Sequence, residues 1–462
     1  MVEKAILWRN FGNRIWMYTS LISKTCITAA VGILLCSCGT QGPAGLFGKK
    51  TAHEQYGDRI IQAGLRETAM GQQWFEAADK SLANPNPVTL PYSETGYFAA
   101  ERPSAVGLKF IAKRGQLLNI TLNKKPVSGF AVYFELWAPA QQPGNKPKLL
   151  SAADTASNAI RYEIKDDGDY YIRIQPELLK SGEYTISLTT GPSLAYPFQP
   201  KAKAAIASFW GAARDRGARK HEGIDIMAPF RTPCLATANG TISRVNENKL
   251  GGKTVWLRPS GKDYVVYYAH LDEQLVTDGQ QVTVGDTIGL VGTTGNARGG
   301  APHLHLGIYT NAGAVDPLAF IDPVVKTPAK IVAAEEVVGK LVRTNARGSK
   351  IYAEPGTAMP ALLSPEVNTI LRAEAATANW YRVVLPGGTT GYINHNHVDT
   401  LRNPVRSGTT PDPIALLESP TPDAPRKLII EKGRQIKVLG TSGNYYFVEV
   451  ASQNGWLNKA TL

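Results

Sequence analysis

Four of the seven histidines in this chain lie in three short motifs between residues 221 and 305. In the last motif, His303-Leu304-His305, the two imidazoles are two positions apart, so on a β-strand both point to one face while the leucine points to the other. His221 precedes Asp225 by four positions, and His270 ends an apolar, strand-like run. The two histidines of the last motif can therefore share one pocket.

These residue types suit a zinc ion, because imidazole nitrogen and carboxylate oxygen are both common zinc ligands. A catalytic zinc site uses three protein ligands and keeps a fourth position for water, whose pKa the metal lowers to about 7. Four imidazoles and one carboxylate leave two groups for acid–base work. The residue count therefore favours a hydrolytic site over a closed structural one.

The sequence around the motifs resembles that of the lysostaphin-type, or LytM-like, zinc metallopeptidases over about 120 residues. The similar segments are 221–245 (HEGIDIMAPFRTPCLATANGTISRV), 268–271 (YAHL), 279–295 (GQQVTVGDTIGLVGTTG) and 302–306 (PHLHL). The resemblance implies an antiparallel β-sheet groove that hydrolyses peptide cross-links of bacterial peptidoglycan. It implies that His221, Asp225 and His305 bind Zn²⁺. It also implies that His303 and His270 serve as a general base and as a donor that stabilises the tetrahedral oxyanion.

Substrate preference stays open within this resemblance. Leu306-Gly307 stands where the family usually has an aromatic and an acidic residue, and 299–302 (GGAP) is a variant approach to the last motif. The short spacing from His221 to Asp225 favours an endopeptidase over the related D,D-carboxypeptidases. Family members cut either glycine–glycine bridges or direct links from D-alanine to a diamino acid, and the direct link is favoured here if the source has two membranes.

A different class of function also fits the motifs. The chain could be a non-catalytic or autoinhibited wall-binding lipoprotein that activates or scaffolds other wall hydrolases, with a metal kept for stability, since metal binding is coupled to folding. Residues 51–192 are long enough to cover a groove. All five metal and catalytic positions are filled, however, so a zinc-dependent endopeptidase is the favoured interpretation.

Residues 1–37 have the pattern of a lipoprotein signal peptide. A basic stretch leads into the apolar run 26–35, which is too short to span a bilayer comfortably. The following segment, 35–39 (LCSCG), resembles the lipobox of bacterial lipoproteins, in which the chain is cut before the cysteine and that cysteine, here Cys38, is lipidated. An uncleaved N-terminal anchor helix is the alternative. Both predict an exported, membrane-tethered protein, and Gly39 favours the outer membrane, facing the periplasm, in a bacterium with two membranes.

The rest of the chain is predicted to be mainly β. It is also predicted to be multidomain, since a chain of 462 residues is about three times the usual domain size of about 150 residues. The predicted segments are a Gly-rich tether (38–50), a helical segment (51–87), a β-sandwich resembling pre-peptidase C-terminal domains (88–192), the peptidase domain (193–324) and a linker (325–338). His53, at the start of the helical segment, is expected to be polar surface. Cys234 is the only cysteine of the folded body, so no intramolecular disulfide is predicted, and its apolar context favours burial.

An internal repeat occupies the end of the chain. Three motifs of 339–402 recur in 407–462 at offsets of 65, 65 and 64 residues: Glu354-Pro355 as Ser419-Pro420, Asn379-Trp380-Tyr381 as Asn444-Tyr445-Tyr446, and Gly391-Tyr392-Ile393 as Gly455-Trp456-Leu457. A near-constant offset indicates two copies of one unit. Both copies resemble bacterial SH3-like domains, which often bind wall peptides. The aromatic residues Trp380, Tyr392, Tyr445 and Trp456 fit a ligand surface and a barrel core equally well.

The chain is basic, with a net charge of +12, of which residues 1–37 contribute +3. A basic protein often binds nucleic acid, but no basic, aromatic-interleaved patch or recognition helix is present, and an exported lipoprotein does not meet the genome. Peptidoglycan, anionic envelope polymers and the membrane at Cys38 are the expected partners. The basic stretch 214–220 is expected to be a solvated loop or a contact for anionic peptide carboxylates.

Overall fold

The computed structural model describes residues 49–140, 142, 144–154 and 157–462. The predicted signal peptide, the predicted lipid acceptor Cys38 and all but the last two residues of the predicted tether lie outside these residues. The described chain is mainly β and consists of several largely antiparallel sheets, which confirms the predicted fold class. Among its helices, none is long and apolar enough to cross a membrane.

Two helices begin the described chain, α1 (Ala52–Gln62) and α2 (Ala69–Ala83). A capping box starts α1: the Thr51 hydroxyl accepts a hydrogen bond from Glu54 N at 3.1 Å, and the Glu54 carboxylate accepts one from Thr51 N at 2.8 Å. The Thr51 hydroxyl also donates to Glu135 Oε1 at 2.8 Å. The start of α1 is thereby attached to the strands that follow.

The expectation that His53 is polar surface is wrong. Its side chain is 7% exposed and its ring stacks on Trp74 with the centroids 4.7 Å apart. The two ring nitrogens contact Gln175 Oε1 at 2.7 Å and Arg173 Nη2 at 3.1 Å. The helix buries this imidazole because buried polar partners on a strand satisfy both of its nitrogens, which the local sequence does not reveal.

Nine strands form a β-sandwich. They are β1 (Asn86–Pro87), β2 (Tyr92–Phe98), β3 (Val106–Ala112), β4 (Gln116–Lys125), β5 (Val132–Ala138), β6 (Lys148–Ala152), β7 (Ala159–Glu163), β8 (Gly168–Pro176) and β9 (Gly182–Pro192). One sheet has the order β1-β3-β8-β5-β6, and the other contains β2-β9-β4-β7. Alternate side chains of the two sheets, such as Leu108, Ile120, Ile172 and Ile186, fill one buried core.

Twelve strands and a short helix form the next region. They are β10 (Ala205–Ser208), β11 (Ala213–Arg214), β12 (Arg219–Lys220), β13 (Ile224–Met227), β14 (Pro233–Leu235), β15 (Gly240–Asn248), β16 (Gly252–Pro259), β17 (Tyr264–Gln274), β18 (Gln281–Val282), β19 (Thr287–Val291), β20 (His303–Thr310), β21 (Gly313–Val315) and α3 (Leu318–Ile321). The main sheet has the order β10-β13-β20-β17-β16-β15-β18. Leu304 and Leu306 of β20 lie in its core with Cys234, which is 0% exposed. The histidines of β20 therefore face away from that core.

The repeats form two further groups of strands. The first repeat unit contains β22 (Leu341–Thr344), β23 (Ile351–Tyr352), β24 (Ile370–Thr377), β25 (Trp380–Val384), β26 (Thr390–Asn394) and β27 (Val398–Thr400). The second repeat unit contains β28 (Arg406–Thr409), β29 (Ile414–Leu417), β30 (Arg426–Ile430), β31 (Gln435–Ser442), β32 (Tyr445–Val450) and β33 (Gln453–Asn458). β24 pairs with β2, with Thr95 opposite Ala376, so one sheet runs from the sandwich into the first unit.

Burial separates the four repeat aromatics. Tyr392, Tyr445 and Trp456 are 0%, 8% and 6% exposed, which supports the core interpretation for these three. Trp380 is half-buried, and its ring meets Tyr352 edge to face at 5.6 Å. Trp380 is thus the one member of the set with surface left for a ligand.

Candidate functional site

Strand pairing brings the candidate residues together. β13 pairs with β20 so that Asp225 lies opposite His305, and β17 pairs with β20 so that Ala269 lies opposite His305. Residues directly opposite each other in an antiparallel pair project from the same face of the sheet. Asp225 and His305 therefore share a face with His303, which lies two residues along the same strand. His270 directly follows Ala269, the last residue of β17 that pairs with β20.

Three of these side chains form a tight cluster. His221 Nε2 lies 3.0 Å from both Asp225 Oδ1 and His305 Nδ1, and His305 Nδ1 lies 3.1 Å from Asp225 Oδ1. The His221 side chain is 3% exposed, and those of Asp225 and His305 are each 14% exposed. One ligand atom from each residue lies within 4.8 Å of the other two. Two nitrogens and one oxygen turned toward one point fit a zinc ion with an open fourth position.

The surroundings of His221 are compatible with the tautomer that binds a metal through Nε2. Its Nδ1 lies 3.0 Å from the carbonyl oxygen of Phe209, which can only accept. If Nδ1 carries the proton, Nε2 is unprotonated and faces Asp225. A backbone carbonyl that orients a ligating imidazole in this way is a usual feature of metal sites.

His303 and His270 lie beside the cluster with their outer nitrogens occupied. His303 Nδ1 lies 2.8 Å from Ala301 O, and His270 Nδ1 lies 2.9 Å from Thr294 O. Their ring centroids are 5.0 Å apart, and His303 Nε2 is 4.0 Å from Asp225 Oδ1. Because both Nδ1 atoms donate to carbonyls, each Nε2 is the atom able to accept or deliver a proton in the groove.

A turn that contains Gly251 and Gly252 packs against Thr294, whose carbonyl orients the His270 ring. His270 N donates to Gly251 O at 2.7 Å, and His270 itself has a φ of 62°. Gly252 has a φ of 64°, and a Cβ at this position would lie 2.2 Å from Thr294 Oγ1 and 2.4 Å from Gly295 N. Only glycine therefore allows this turn to approach the loop that contains Thr294.

Burial and neighbouring charges shift the pKa values of the site. Burial, with repulsion from His305 and His303, lowers the pKa of His270 to about 4. Burial also lowers the pKa of His305. Burial alone would raise the pKa of Asp225, but its polar contacts with the imidazoles of His221 and His305 outweigh burial and hold this pKa well below its usual range. A lowered pKa favours the ionised carboxylate of Asp225 and the neutral imidazole of His305, which are the forms that bind a metal.

The cluster opens into a groove of about 480 Å³. Aromatic rings line it beyond His305: the centroids of Trp256 and Tyr267 are 4.3 Å apart, those of Trp256 and Tyr309 are 5.5 Å apart, and Tyr267 meets His305 edge to face at 6.0 Å. These three aromatics come from β16, β17 and β20. Nothing in their separate sequence contexts marks them as neighbours, so sequence reasoning missed this wall.

Sequence reasoning also missed Arg214. The basic stretch 214–220 begins at the last residue of β11 and ends with β12, and these two strands pair with each other, so its ends are not a free loop. Arg214 Nη2 lies 2.5 Å from Asp225 Oδ2 and 3.1 Å from His221 Nδ1. A guanidinium thus contacts two of the three candidate ligands. The motif spacing carries no signal of this contact, because it depends on how the hairpin folds back.

Residues 219–317 match the family model described as "Peptidase family M23". This range contains the three clustered residues and both neighbouring histidines. The match confirms the family resemblance of this domain, while the tandem SH3-like units and the lipoprotein form stay predictions.

Three proteins show the range of relatives. Over 103 residues the chain is 37% identical to the peptidoglycan DD-endopeptidase ShyC of Vibrio cholerae, covering 21% of this chain and 23% of that protein. Over 130 residues it is 34% identical to the L-Ala–D-Glu endopeptidase of Bacillus subtilis, covering 26% and 40%. Over 103 residues it is 36% identical to the uncharacterized lipoprotein YgeR of Escherichia coli, covering 22% and 40%. The chain therefore spans less than half the length of each.

Proposed function

We propose, from the membership of residues 219–317 in peptidase family M23, that this chain is a zinc-dependent endopeptidase that hydrolyses peptide bonds of peptidoglycan. One observation carries the proposal: the ligand atoms of His221, Asp225 and His305 converge within 4.8 Å beside two histidines whose Nδ1 atoms are occupied by carbonyls. The endopeptidase names of the relatives from Vibrio cholerae and Bacillus subtilis support the same class of substrate.

His221, Asp225 and His305 would hold the zinc ion. When bound, zinc lowers the pKa of a water molecule and polarises a substrate carbonyl. The protein supplies the orientation of its ligands through the Phe209 carbonyl and the pairing of β13 with β20. It also supplies the groove of about 480 Å³ beside these ligands, which is proposed to hold the peptide.

His303 and His270 are proposed to handle the protons. In the tautomer that the carbonyls of Ala301 and Thr294 select, a neutral ring accepts a proton at Nε2 and a protonated ring donates from it. A general base needs the first state, and a donor to an oxyanion or to the departing amine needs the second. Because burial lowers the pKa of His270 to about 4, its resting ring at neutral pH is an acceptor. We therefore propose that the two rings act as a pair: a neutral ring takes up a proton at Nε2, and the protonated ring formed in this way is the donor.

The bond cut is proposed to be the direct cross-link from D-alanine to a diamino acid. The relative named a DD-endopeptidase supports this choice, and the relative named an L-Ala–D-Glu endopeptidase is the competing precedent. The lipoprotein from Escherichia coli supports attachment of this chain to the envelope through Cys38. We place the protein in the periplasm, tethered to the outer membrane of a bacterium with two membranes.

The test is digestion of purified peptidoglycan by the full chain in detergent, with metal analysis of the same sample. About one zinc per chain, and cross-linked dimers falling to monomers in the mass spectrum, are expected. Asp225→Ala protein is the matched inactive control. Zinc without new fragments would reject the endopeptidase and favour a wall-binding scaffold or an autoinhibited protein. Fragments cut after L-alanine would keep the endopeptidase and reject the proposed bond.

A further inference from the structure

Arg214 divides the two oxygens of Asp225 between different partners. Asp225 Oδ2 lies 2.5 Å from Arg214 Nη2, whereas Asp225 Oδ1 faces His221 Nε2 at 3.0 Å and His305 Nδ1 at 3.1 Å. Arg214 Nη2 also lies 2.7 Å from Ser208 Oγ. The side chain is therefore held from β10 as well as from β13, and its position does not depend on the Asp225 contact alone.

This division matters because a carboxylate can bind a metal through one oxygen or through both. A ligand that uses both oxygens occupies two coordination positions. We propose that Arg214 is a positioning residue that reserves Asp225 Oδ2, so that Asp225 offers only Oδ1 to the metal and one position stays open for water. This inference rests on the proposed function, since it assumes that the cluster binds a divalent ion.

The charge of Arg214 distinguishes a residue that positions Asp225 from one that strengthens metal binding. A guanidinium next to the cluster repels a divalent cation, so Arg214 lowers metal affinity through its charge. Because its charge opposes metal binding while its hydrogen bond restrains a ligand, removal of Arg214 is expected to leave binding as tight or make it tighter, and to change how the metal is coordinated.

The test uses Co²⁺ as a spectroscopic substitute for zinc in the full chain. Four-coordinate Co²⁺ absorbs visible light more strongly than five- or six-coordinate Co²⁺. For Arg214→Met we expect Co²⁺ affinity equal to or above that of the unmodified protein, weaker visible absorption, and peptidoglycan hydrolysis reduced roughly 10–100-fold. Arg214→Lys keeps a donor for Oδ2 and is expected to restore much of the absorption. Arg244→Met, at an exposed arginine of β15 that does not line the groove, is the matched control and should leave both measurements unchanged.

Two results would overturn the proposal. One is an Arg214→Met protein with unchanged Co²⁺ absorption and unchanged hydrolysis. The other is a folded Arg214→Met protein that no longer binds Co²⁺, because Arg214 would then be needed for the ligand cluster itself. If Arg214→Met does not fold, Arg214→Lys is measured instead. An Arg214→Lys protein whose visible absorption equals that of unbound Co²⁺ would also contradict the proposal, because it would have lost the metal. Absence of Co²⁺ binding by the unmodified protein would instead reject the proposed function.

Discussion

Arg382 and Glu94 form an ion pair that is almost completely removed from solvent: Arg382 Nη2 lies 3.1 Å from Glu94 Oε1, and the side chains are 2% and 0% exposed. The hydroxyls of Tyr92 and Tyr184 donate to the same carboxylate at 2.7 and 2.6 Å. Glu94 belongs to the sandwich and Arg382 to the first repeat unit. The pair thus joins the two regions at the place where β2 and β24 continue one sheet.

The second repeat unit packs through the corresponding face, but with apolar residues. Phe447 is 65 positions after Arg382. Phe447 and Trp456 have ring centroids 4.9 Å apart and share a buried cluster with Ile370 of the first unit. Each unit therefore uses one face to contact the region before it, through a charge pair in one case and apolar side chains in the other.

Arg382→Met is expected to destabilise the protein by roughly 3–5 kcal/mol, because it leaves the Glu94 carboxylate buried without its counter-charge. The double variant with Glu94→Gln should lose less, since no buried charge remains. Lys437→Met, which breaks an exposed pair with Glu449, should cost no more than about 1 kcal/mol and is the control. Guanidinium unfolding measures all three. A double variant as unstable as Arg382→Met would contradict the explanation.

Metal content should distinguish the proposed metal ligands from the two histidines that are proposed to handle protons. We expect His303→Ala and His270→Ala each to retain about one zinc per chain while peptidoglycan hydrolysis falls roughly 10²–10⁴-fold. Asp225→Ala should lose both zinc and hydrolysis, because it removes one of three ligands. Metal analysis and fragment release on the same preparations measure this. Full hydrolysis by His303→Ala protein would reject its proposed role.

Gly252→Ala should impair hydrolysis without removing a ligand. The new Cβ would push against Thr294 and Gly295, and the Thr294 carbonyl orients His270. Gly261→Ala is the matched control: Gly261 also has a positive φ, 71°, but a Cβ added there would have no neighbouring atom within 4 Å. We expect each substitution to cost roughly 1–2 kcal/mol of backbone strain, with additional loss only for Gly252→Ala. Thermal melting and hydrolysis assays distinguish them, and equal activities would show that the turn does not position His270.

The helix pair should become less stable as pH falls below about 6.5. Burial, with repulsion from Arg173, lowers the pKa of His53 below its ordinary 6.5. The unfolded state therefore binds the proton first, so this contribution is complete above pH 6.5 and decreases as pH falls toward the lower folded pKa. Hydrogen exchange of α1 and α2 amides, corrected for intrinsic pH dependence, measures the effect.

Two variants test the assignment of this pH dependence to His53. His53→Gln keeps an acceptor for Arg173 and a donor for Gln175 but does not titrate, so its exchange should be less sensitive to pH in this range. His397→Gln, in the first repeat unit, is the matched control and should retain the sensitivity of the unmodified protein. Equal sensitivity in both variants would show that another group is responsible.

Local patterns account for what the sequence predicted about the site. The two-residue period of a strand places His303 and His305 on one face, and this requires no knowledge of the rest of the fold. The placement of Asp225 opposite His305 depends instead on the register between β13 and β20, which are far apart in the chain. The family resemblance supplied that pairing, whereas spacing alone did not. Nothing in the sequence predicted the contact of Arg214 with Asp225, because a basic stretch has the same sequence pattern whether its side chains face solvent or a carboxylate.

The sequence by itself determined the mainly β character, the family that residues 219–317 resemble and the residue types available for chemistry, because periodicity and motif order are local properties. Only the tertiary structure decided which atoms meet: Arg214 with Asp225, the Thr294 carbonyl with His270, and Arg382 with Glu94. Each of these contacts joins separate elements across a pocket, a turn or a domain boundary. Such contacts depend on long-range packing and strand register, and a one-residue shift in register would send the same side chains to the opposite face.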